Sequence, residues 1–327
     1  MNKFEIIEKL NDIYLQRQQK SSAEHKERVD EVCTNHPDLQ EALEERHAAI
    51  LMRIKSNIGS MDKPQNDMRS LMEEKNQKIK ALLVKYGYPE DYLQPQFFCP
   101  ICKDEGKIYT PQTRECDCYI EAFKQLQYES MGFSKTEKQS FADFSLEVYS
   151  EEVLANIHKS QRAYMQDIYQ YILQYAKEFP NNTKTTNNLV FIGKSGLGKT
   201  FFMHAIANEV LHTRKNIQFI TAFKWFEMAK NSYFGNNVEV YNDLLQTDLL
   251  MIDDLGTEPL NENITIPQLF NLINERHNRG LHTILSTNLD ANELRNRYTE
   301  RITSRFEDRR FTTILRFLGN DVRRNIK

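Results

Sequence analysis

The eight residues "GKSGLGKT" (193–200) constrain this chain more than any other stretch. They fit G-x-x-x-x-G-K-[ST], with Gly193, Gly198, Lys199 and Thr200 at the fixed positions. "LVFI" (189–192) reads as a strand before them and "TFFMHAIANEVLH" (200–212) as a helix after them. A phosphate-binding loop requires that context. The backbone N–H groups of Gly193, Lys194, Ser195, Gly196, Leu197 and Gly198 would turn toward phosphates, and the helix start adds its positive dipole end. Lys199 is expected to reach the β- and γ-phosphates, and Thr200 to ligate Mg²⁺. A chance match in a glycine-containing turn is the competing reading, and the flanking strand and helix argue against it.

Further short apolar runs follow: "IQFI" (217–220), "LLMID" (249–253) and "TILST" (283–287). Helical stretches at 199–213, 222–233 and 266–279 lie between the runs. That alternation predicts an α/β fold, a parallel sheet with crossover helices. "LLMIDDLG" (249–256) is an apolar strand ending in two acids. Asp253 is assigned to the Mg²⁺ shell, and Asp254 to orienting the attacking water. The plainer alternative is that both acids cap a strand end. Asn288 ends "TILSTN" and would lie beside the γ-phosphate. In "RYTERITSRF" (297–306), Arg297, Arg301 and Arg305 recur every four residues on one helix face. They form either a solvated basic face or a surface from which one arginine reaches a neighbouring subunit's γ-phosphate in trans.

The front of the chain has a different pattern. Ile6, Ile7, Leu10, Ile13 and Tyr14 recur at helical spacing. So do Leu39, Leu43, Ile50, Leu51, Ile54 and Ile58, and then Met68, Leu71, Met72, Ile79, Leu82 and Leu83. Breakers fall at Gly59, Pro64, Gly87 and Pro89. Three amphipathic helices follow, packed as a small bundle, with one stripe free to dock on a partner protein. Cys99, Cys102, Cys116 and Cys118 then give C-x2-C-x13-C-x-C. Four thiolates suit a closed structural Zn²⁺ site. Free thiols, a redox pair or an iron–sulfur cluster are the alternatives, and the single residue between the last two cysteines departs from the usual ribbon spacing. Cys33 stands alone as a core or surface thiol. The expected division is a helical region at 1–95, a zinc module at 96–120, a helical linker at 121–180 with a helix over about 151–179, and the nucleotide-binding domain at 181–327.

With these parts in order, the chain resembles the AAA+ ATPases of the bacterial helicase-loader group, the DnaC/DnaI type. The resemblance covers about residues 140–327 and rests on "FADFSLEVY", "GKSGLGKT", "LLMIDDLGTEP", "NLINERHNRGLHTILSTNL", "ERITSRF" and "GNDVRRNIK". It implies the sensor-1 role for Asn288, the arginine finger for Arg305 with Arg301 as second candidate, and the sensor-2 role for Arg323. It implies a fold without the helical lid of other AAA+ initiators, since 21 residues follow Phe306. It also implies ATP hydrolysis with Mg²⁺, a replicative DNA helicase held through the N-terminal region, single-stranded DNA bound by the AAA+ domain, and a homo-oligomer on ATP or DNA binding. The transposition-helper ATPases of the IstB type share this core, so the core alone does not separate the two. A nucleotide-switched scaffold with little turnover is a third reading, opposed by the two carboxylates and the finger candidate. The cysteine-bearing front end is similar in layout to the DnaI type and favours the loader.

The formal net charge is −3, so contact with nucleic acid requires a local basic patch. Residues 293–327 provide one, with ten basic and five acidic side chains. "FKWFEMAKNSYFG" (223–235) interleaves aromatics with lysines, as stacking surfaces for single strands do. The plainer reading puts Phe223, Phe226 and Tyr233 in the core, with Lys224 and Trp225 facing out. No apolar run is long enough to span a bilayer and the amphipathic start is unlike a signal peptide, so a cytoplasmic protein without membrane contact is expected.

Overall fold

The computed structural model describes residues 3–59, 65–132 and 139–323, and the side chains of all these except residues 3 and 53–69. The chain divides into two compact units, one of Lys9–Tyr119 and one of Met1–Glu8 with Ile120–Lys327.

Within the first unit run α1 (Lys3–Asn35, from Lys9 onward), α2 (Pro37–Gly59) and α3 (Gln65–Lys85). Val32, Leu39, Ala42, Ile79 and Leu83 form their buried cluster, with Tyr86, Tyr88, Tyr92 and Leu93 packed against it. Leu51 and Leu71, placed on apolar stripes, are exposed. The side chains of Ile54, Ile58 and Met68 and the breaker Pro64 lie outside the described residues. A two-residue hairpin, β1 (Lys107–Ile108) with β2 (Arg114–Glu115), carries the chain between the two cysteine pairs.

The second unit begins with α4 (Asp117–Ser130), from Ile120 onward. The helix expected over 151–179 starts later. Residues 153–160 form a hairpin, β3 (Val153–Leu154) with β4 (Lys159–Ser160), and α5 spans Gln161–Glu178. The Ser160 hydroxyl accepts the Ala163 N–H at 3.2 Å, so the helix starts where that cap sits.

Five strands build the sheet: β5 (Asn188–Ile192), β6 (Ile217–Thr221), β7 (Leu249–Leu255), β8 (His282–Thr287) and β9 (Thr312–Arg316). All pair in parallel, in the order β6-β7-β8-β5-β9. Their crossovers are α6 (Lys199–Val210), α7 (Ala222–Tyr233), α8 (Val238–Gln246), α9 (Thr265–Asn278) and α10 (Ala291–Phe306). Successive strand side chains point to opposite faces. Leu189, Phe191, Met251 and Ile284 therefore join a core with α5 and α6 residues such as Ile172, Met203 and Ile206. Val190, Leu250, Ile252 and Leu285 join another with Trp225, Leu269, Leu272, Leu294 and Ile302 from α7, α9 and α10. Both faces are covered, which is why the strands read as continuous apolar runs.

Candidate functional site

Parallel pairing puts every strand's C-terminal end on one edge. Three neighbours, β7, β8 and β5, end there in Asp253–Asp254, Asn288 and the glycine loop. The loop after β5 is pinned on several sides. Gly193 N–H donates to Thr287 O at 3.2 Å, Val322 N–H to Gly196 O at 2.9 Å, and the Tyr149 hydroxyl to Leu197 O at 3.3 Å. Gly198 takes φ +95° as N-cap of α6, and a Cβ there would meet the Tyr149 hydroxyl at 2.8 Å. Glycine meets both demands. Lys194 and Ser195 are exposed at the loop tip.

Lys199 begins α6 and is buried. Its Nζ donates to Gly193 O at 2.6 Å, Lys194 O at 2.9 Å and Asn288 Oδ1 at 2.8 Å. Burial lowers its pKa, while Asp254 and Asp253 act the other way. Asn288 Nδ2 donates in turn to Asp254 Oδ1 at 3.2 Å. Thr200 Oγ1 donates to Asp253 Oδ2 at 2.9 Å, and the Ser286 hydroxyl donates to Asp253 Oδ1. Ser286 Oγ also accepts the Asp254 N–H at 3.0 Å. No motif in the sequence marks Ser286, although it stands two residues before Asn288 on a fully buried strand. Asp254 sits at φ +56°. Burial and then the neighbouring Asp253 raise its pKa. The structure thus gathers Lys199, Thr200, Asp253, Asp254 and Asn288 into one hydrogen-bonded set.

The arginines are placed differently. Arg323 is exposed and paired with Asp321, Nε to Oδ1 at 3.0 Å. The Arg301 guanidinium lies 4.0 Å from the Phe270 ring centroid. Arg297 is turned toward Glu258. Arg305 is partly buried and makes no ion pair among the described residues. The main chain of Arg305 accepts the Thr312 hydroxyl at 3.4 Å, and Thr312 pairs with Asn188 at the start of β5. The glycine loop lies at the other end of β5, a strand length of about 16 Å away.

In "FKWFEMAKNSYFG" the expectations for Trp225, Phe223 and Tyr233 are corrected, and that for Phe226 as a core residue holds. Trp225 is the residue that decides the phase. It is fully buried, with Phe226, whereas Phe223 and Tyr233 are half exposed and Lys224 is exposed. Ala222, Trp225, Phe226 and Ala229 make the buried stripe of α7, so helical phase decides the side and residue type does not.

The four cysteine sulfurs of the first unit all lie within 4.8 Å of one another. Cys99 and Cys116 Sγ are 3.9 Å apart, and Cys102 and Cys118 Sγ are 3.4 Å apart. Tetrahedral thiolates at a Zn–S distance of about 2.3 Å would be about 3.8 Å apart. Backbone N–H groups of Cys102 and Ile101 aimed at Cys99 bring its thiol down to about 7, and burial pushes Cys118 up. Four such sulfurs ionise together only around a cation, so the donor set fits zinc. The supporting shell was not legible in the sequence. Buried Asp104 accepts the Cys99 N–H at 2.8 Å and the Phe98 N–H at 2.9 Å, and the Tyr14 hydroxyl donates to Cys118 Sγ at 3.0 Å. Cys33 is partly buried, away from this cluster.

Residues 169–311 match the family model of the bacterial DnaA ATPase domain. The replicative helicase loader DnaI of Bacillus subtilis (strain 168) is 27% identical over 133 residues, 40% of this chain and 42% of that protein. The loader DnaC of Escherichia coli (strain K12) is 31% identical over 137 residues, 40% of this chain and 54% of that one. The resemblance to AAA+ ATPases of the DnaC/DnaI type holds. The chromosomal replication initiator DnaA of Onion yellows phytoplasma (strain OY-M) is also similar, 30% identical over 142 residues, 42% of this chain and 28% of that protein. The matched stretch spans about half or less of each of these relatives. No helix among the described residues is long and apolar enough to cross a membrane.

Proposed function

We propose that this chain is an ATP-hydrolysing loader of a replicative DNA helicase, with ATP and single-stranded DNA bound in the AAA+ unit and helicase held by the N-terminal, cysteine-bearing unit. The observation that carries the ATPase reading is the hydrogen-bonded set at one sheet edge, Lys199 to Asn288 to Asp254, with Thr200 on Asp253. The loader reading is supported by relatives that bear that name.

The roles follow from placement. The Gly193–Gly198 amides and the start of α6 would cradle the phosphates, with Lys199 on the β- and γ-groups. Thr200 and Asp253 would hold Mg²⁺, which supplies charge neutralisation on the phosphates. Asp254 would accept a hydrogen bond from the attacking water. Asn288 holds the Asp254 carboxylate while touching Lys199, so it would sense whether a γ-phosphate is present. Arg305 sits about a strand length from its own loop, which supports action on a neighbouring subunit and hence assembly into a homo-oligomer on ATP or DNA. Arg323 would leave Asp321 to meet the nucleotide. Cys99, Cys102, Cys116 and Cys118 would hold a structural Zn²⁺, which supplies a cross-link where the apolar core is small. A cytoplasmic site of action accords with this chemistry.

A pull-down of the host's replicative helicase tests the loader half. The full chain should capture it without added ATP, and Cys99→Ser should not. Capture that survives Cys99→Ser but is lost on Lys199→Ala would move helicase binding to the AAA+ unit.

A further inference from the structure

The turn that follows Asp253 and Asp254 is tied to the helix that carries the arginines. Thr257 folds back on Asp254, its N–H and hydroxyl donating to Asp254 O at 3.2 Å and 2.8 Å. Glu258 follows, with its side chain fully buried. One carboxylate oxygen accepts the Gly256 N–H at 2.8 Å, and the other accepts the hydroxyl of fully buried Tyr298. Arg297 Nη2 donates to Glu258 O and lies 3.5 Å from its Oε1. A buried carboxylate is costly unless its partners are all supplied, and here two of them come from α10.

The next residue on α10 is Thr299, at φ +69° and ψ 156°. A β-branched residue is strained in that region, and such strain persists only where the surroundings over-determine it. The break splits α10. Ala291–Tyr298 is anchored at the nucleotide edge, and the part after Thr299 carries Arg301 and Arg305 toward the start of β9. The direction in which that second part leaves is set by the last residues before the break, which are the two that Glu258 holds.

We propose that Glu258 is a positioning residue that sets the arginine-bearing half of α10 from within the subunit that donates the finger. This rests on the ATPase reading above with Arg305 acting in trans. Glu258 is not among the residues assigned to the nucleotide or the attacking water. It acts through Tyr298, Arg297 and the break at Thr299. It also joins a subunit's own Asp254 turn to the arginine that the same subunit lends to its neighbour.

Subunit mixing separates this role from a merely structural one. An Arg305→Ala subunit keeps an intact site and lacks a finger, so it serves as acceptor. A Lys199→Ala subunit has no working site and an intact finger, so it serves as donor. Lys199→Ala should restore hydrolysis to Arg305→Ala. The double variant Lys199→Ala/Glu258→Ala should restore about a hundredfold less, as a misplacement of about 1 Å at a reacting centre does. The acceptor Arg305→Ala/Glu258→Ala should lose at least about tenfold less than the donor does. Tyr298→Phe keeps the ring and removes one hydrogen bond, so as a donor it should lose about fivefold. Unchanged nucleotide affinity of Glu258→Ala and of Tyr298→Phe, each made alone with Lys199 intact, shows that the fold persists. If the donors carrying Glu258→Ala and Tyr298→Phe restore hydrolysis as well as Lys199→Ala, or if the loss falls equally on the acceptor, the proposal is overturned. If Lys199→Ala itself rescues nothing while Arg305→Ala still binds ATP, the finger in trans falls first and the Glu258 proposal with it.

Discussion

The two units are held together by different means. The sheet-bearing unit buries both faces of five strands, and the charged side chains of its candidate site are fixed by hydrogen bonds at the strand ends. The Lys9–Tyr119 unit has a small apolar cluster on its helices, and its cysteine segment has strands of two residues. In the zinc site proposed above, four sulfurs within 4.8 Å of one another would take the place that a core takes elsewhere. A sheet core keeps its shape without ligand, whereas a thiolate cluster keeps its shape through the ion it holds.

The largest expected effect separates the units outright. Structural zinc is worth about 10 kcal/mol or more of folding free energy in small modules. Chelation, or Cys99→Ser, should therefore disorder the 97–119 segment and leave the sheet folded. Elemental analysis should find about one Zn²⁺ per chain. A metal-free protein with four freely titratable native thiols would break the comparison.

The next effect lies inside the AAA+ unit. Arg305→Ala should slow hydrolysis roughly 10³–10⁵-fold with nucleotide affinity retained, because a finger acts on transition-state charge. Wild-type turnover combined with weakened DNA binding would make α10 a basic DNA-contact face instead.

A smaller effect sharpens the claim that the sheet core stands alone. Burial, with Arg276 beside it, holds His282 down to about 4. Its ring meets Asn182 Oδ1 at 3.0 Å. An unfolded histidine takes up its proton near pH 6.5. The stabilisation is thus complete above that pH and is lost as pH falls toward 4, to a total of about 3 kcal/mol. Urea titrations of the full chain between pH 7 and 4 should show a shallower pH dependence for His282→Gln than for wild type. Parallel curves would remove His282 from the account.

The smallest effect concerns a local start signal. Ser160→Ala removes the cap of α5 and should cost about 1 kcal/mol of AAA+ unit stability in urea, with helicase capture untouched.

What the sequence shows and what it hides divide along the same physical lines. The strands β5, β6, β7 and β8 were legible as short apolar runs alternating with helical stretches, and β9 was not, because "TTILR" offers only Ile314 and Leu315 and sits among arginines. The nine-residue α8 is too short to announce its period. Lys199, Thr200, Asp253, Asp254 and Asn288 could be read from motif spacing, and the structure brings them together. Ser286, Glu258 and Tyr14 could not, since each acts by meeting a group far away in sequence. Glu258 stood in view in "DDLGTEP", but its partners lie 39 and 40 residues on. The break at Thr299 has no sequence signal, because the pattern of "RYTERITSRF" is that of an unbroken helix.

The most direct test of the central claim is a titration of the full chain with a fluorescent ATP analogue before and after zinc is chelated, in wild type and in Lys199→Ala. The account predicts the same wild-type affinity in both states, with the disorder on chelation confined to the 97–119 segment, and no binding by Lys199→Ala in either. Nucleotide binding that disappears with the metal, or that survives Lys199→Ala, would contradict a self-sufficient ATP site at the β5–β7–β8 edge.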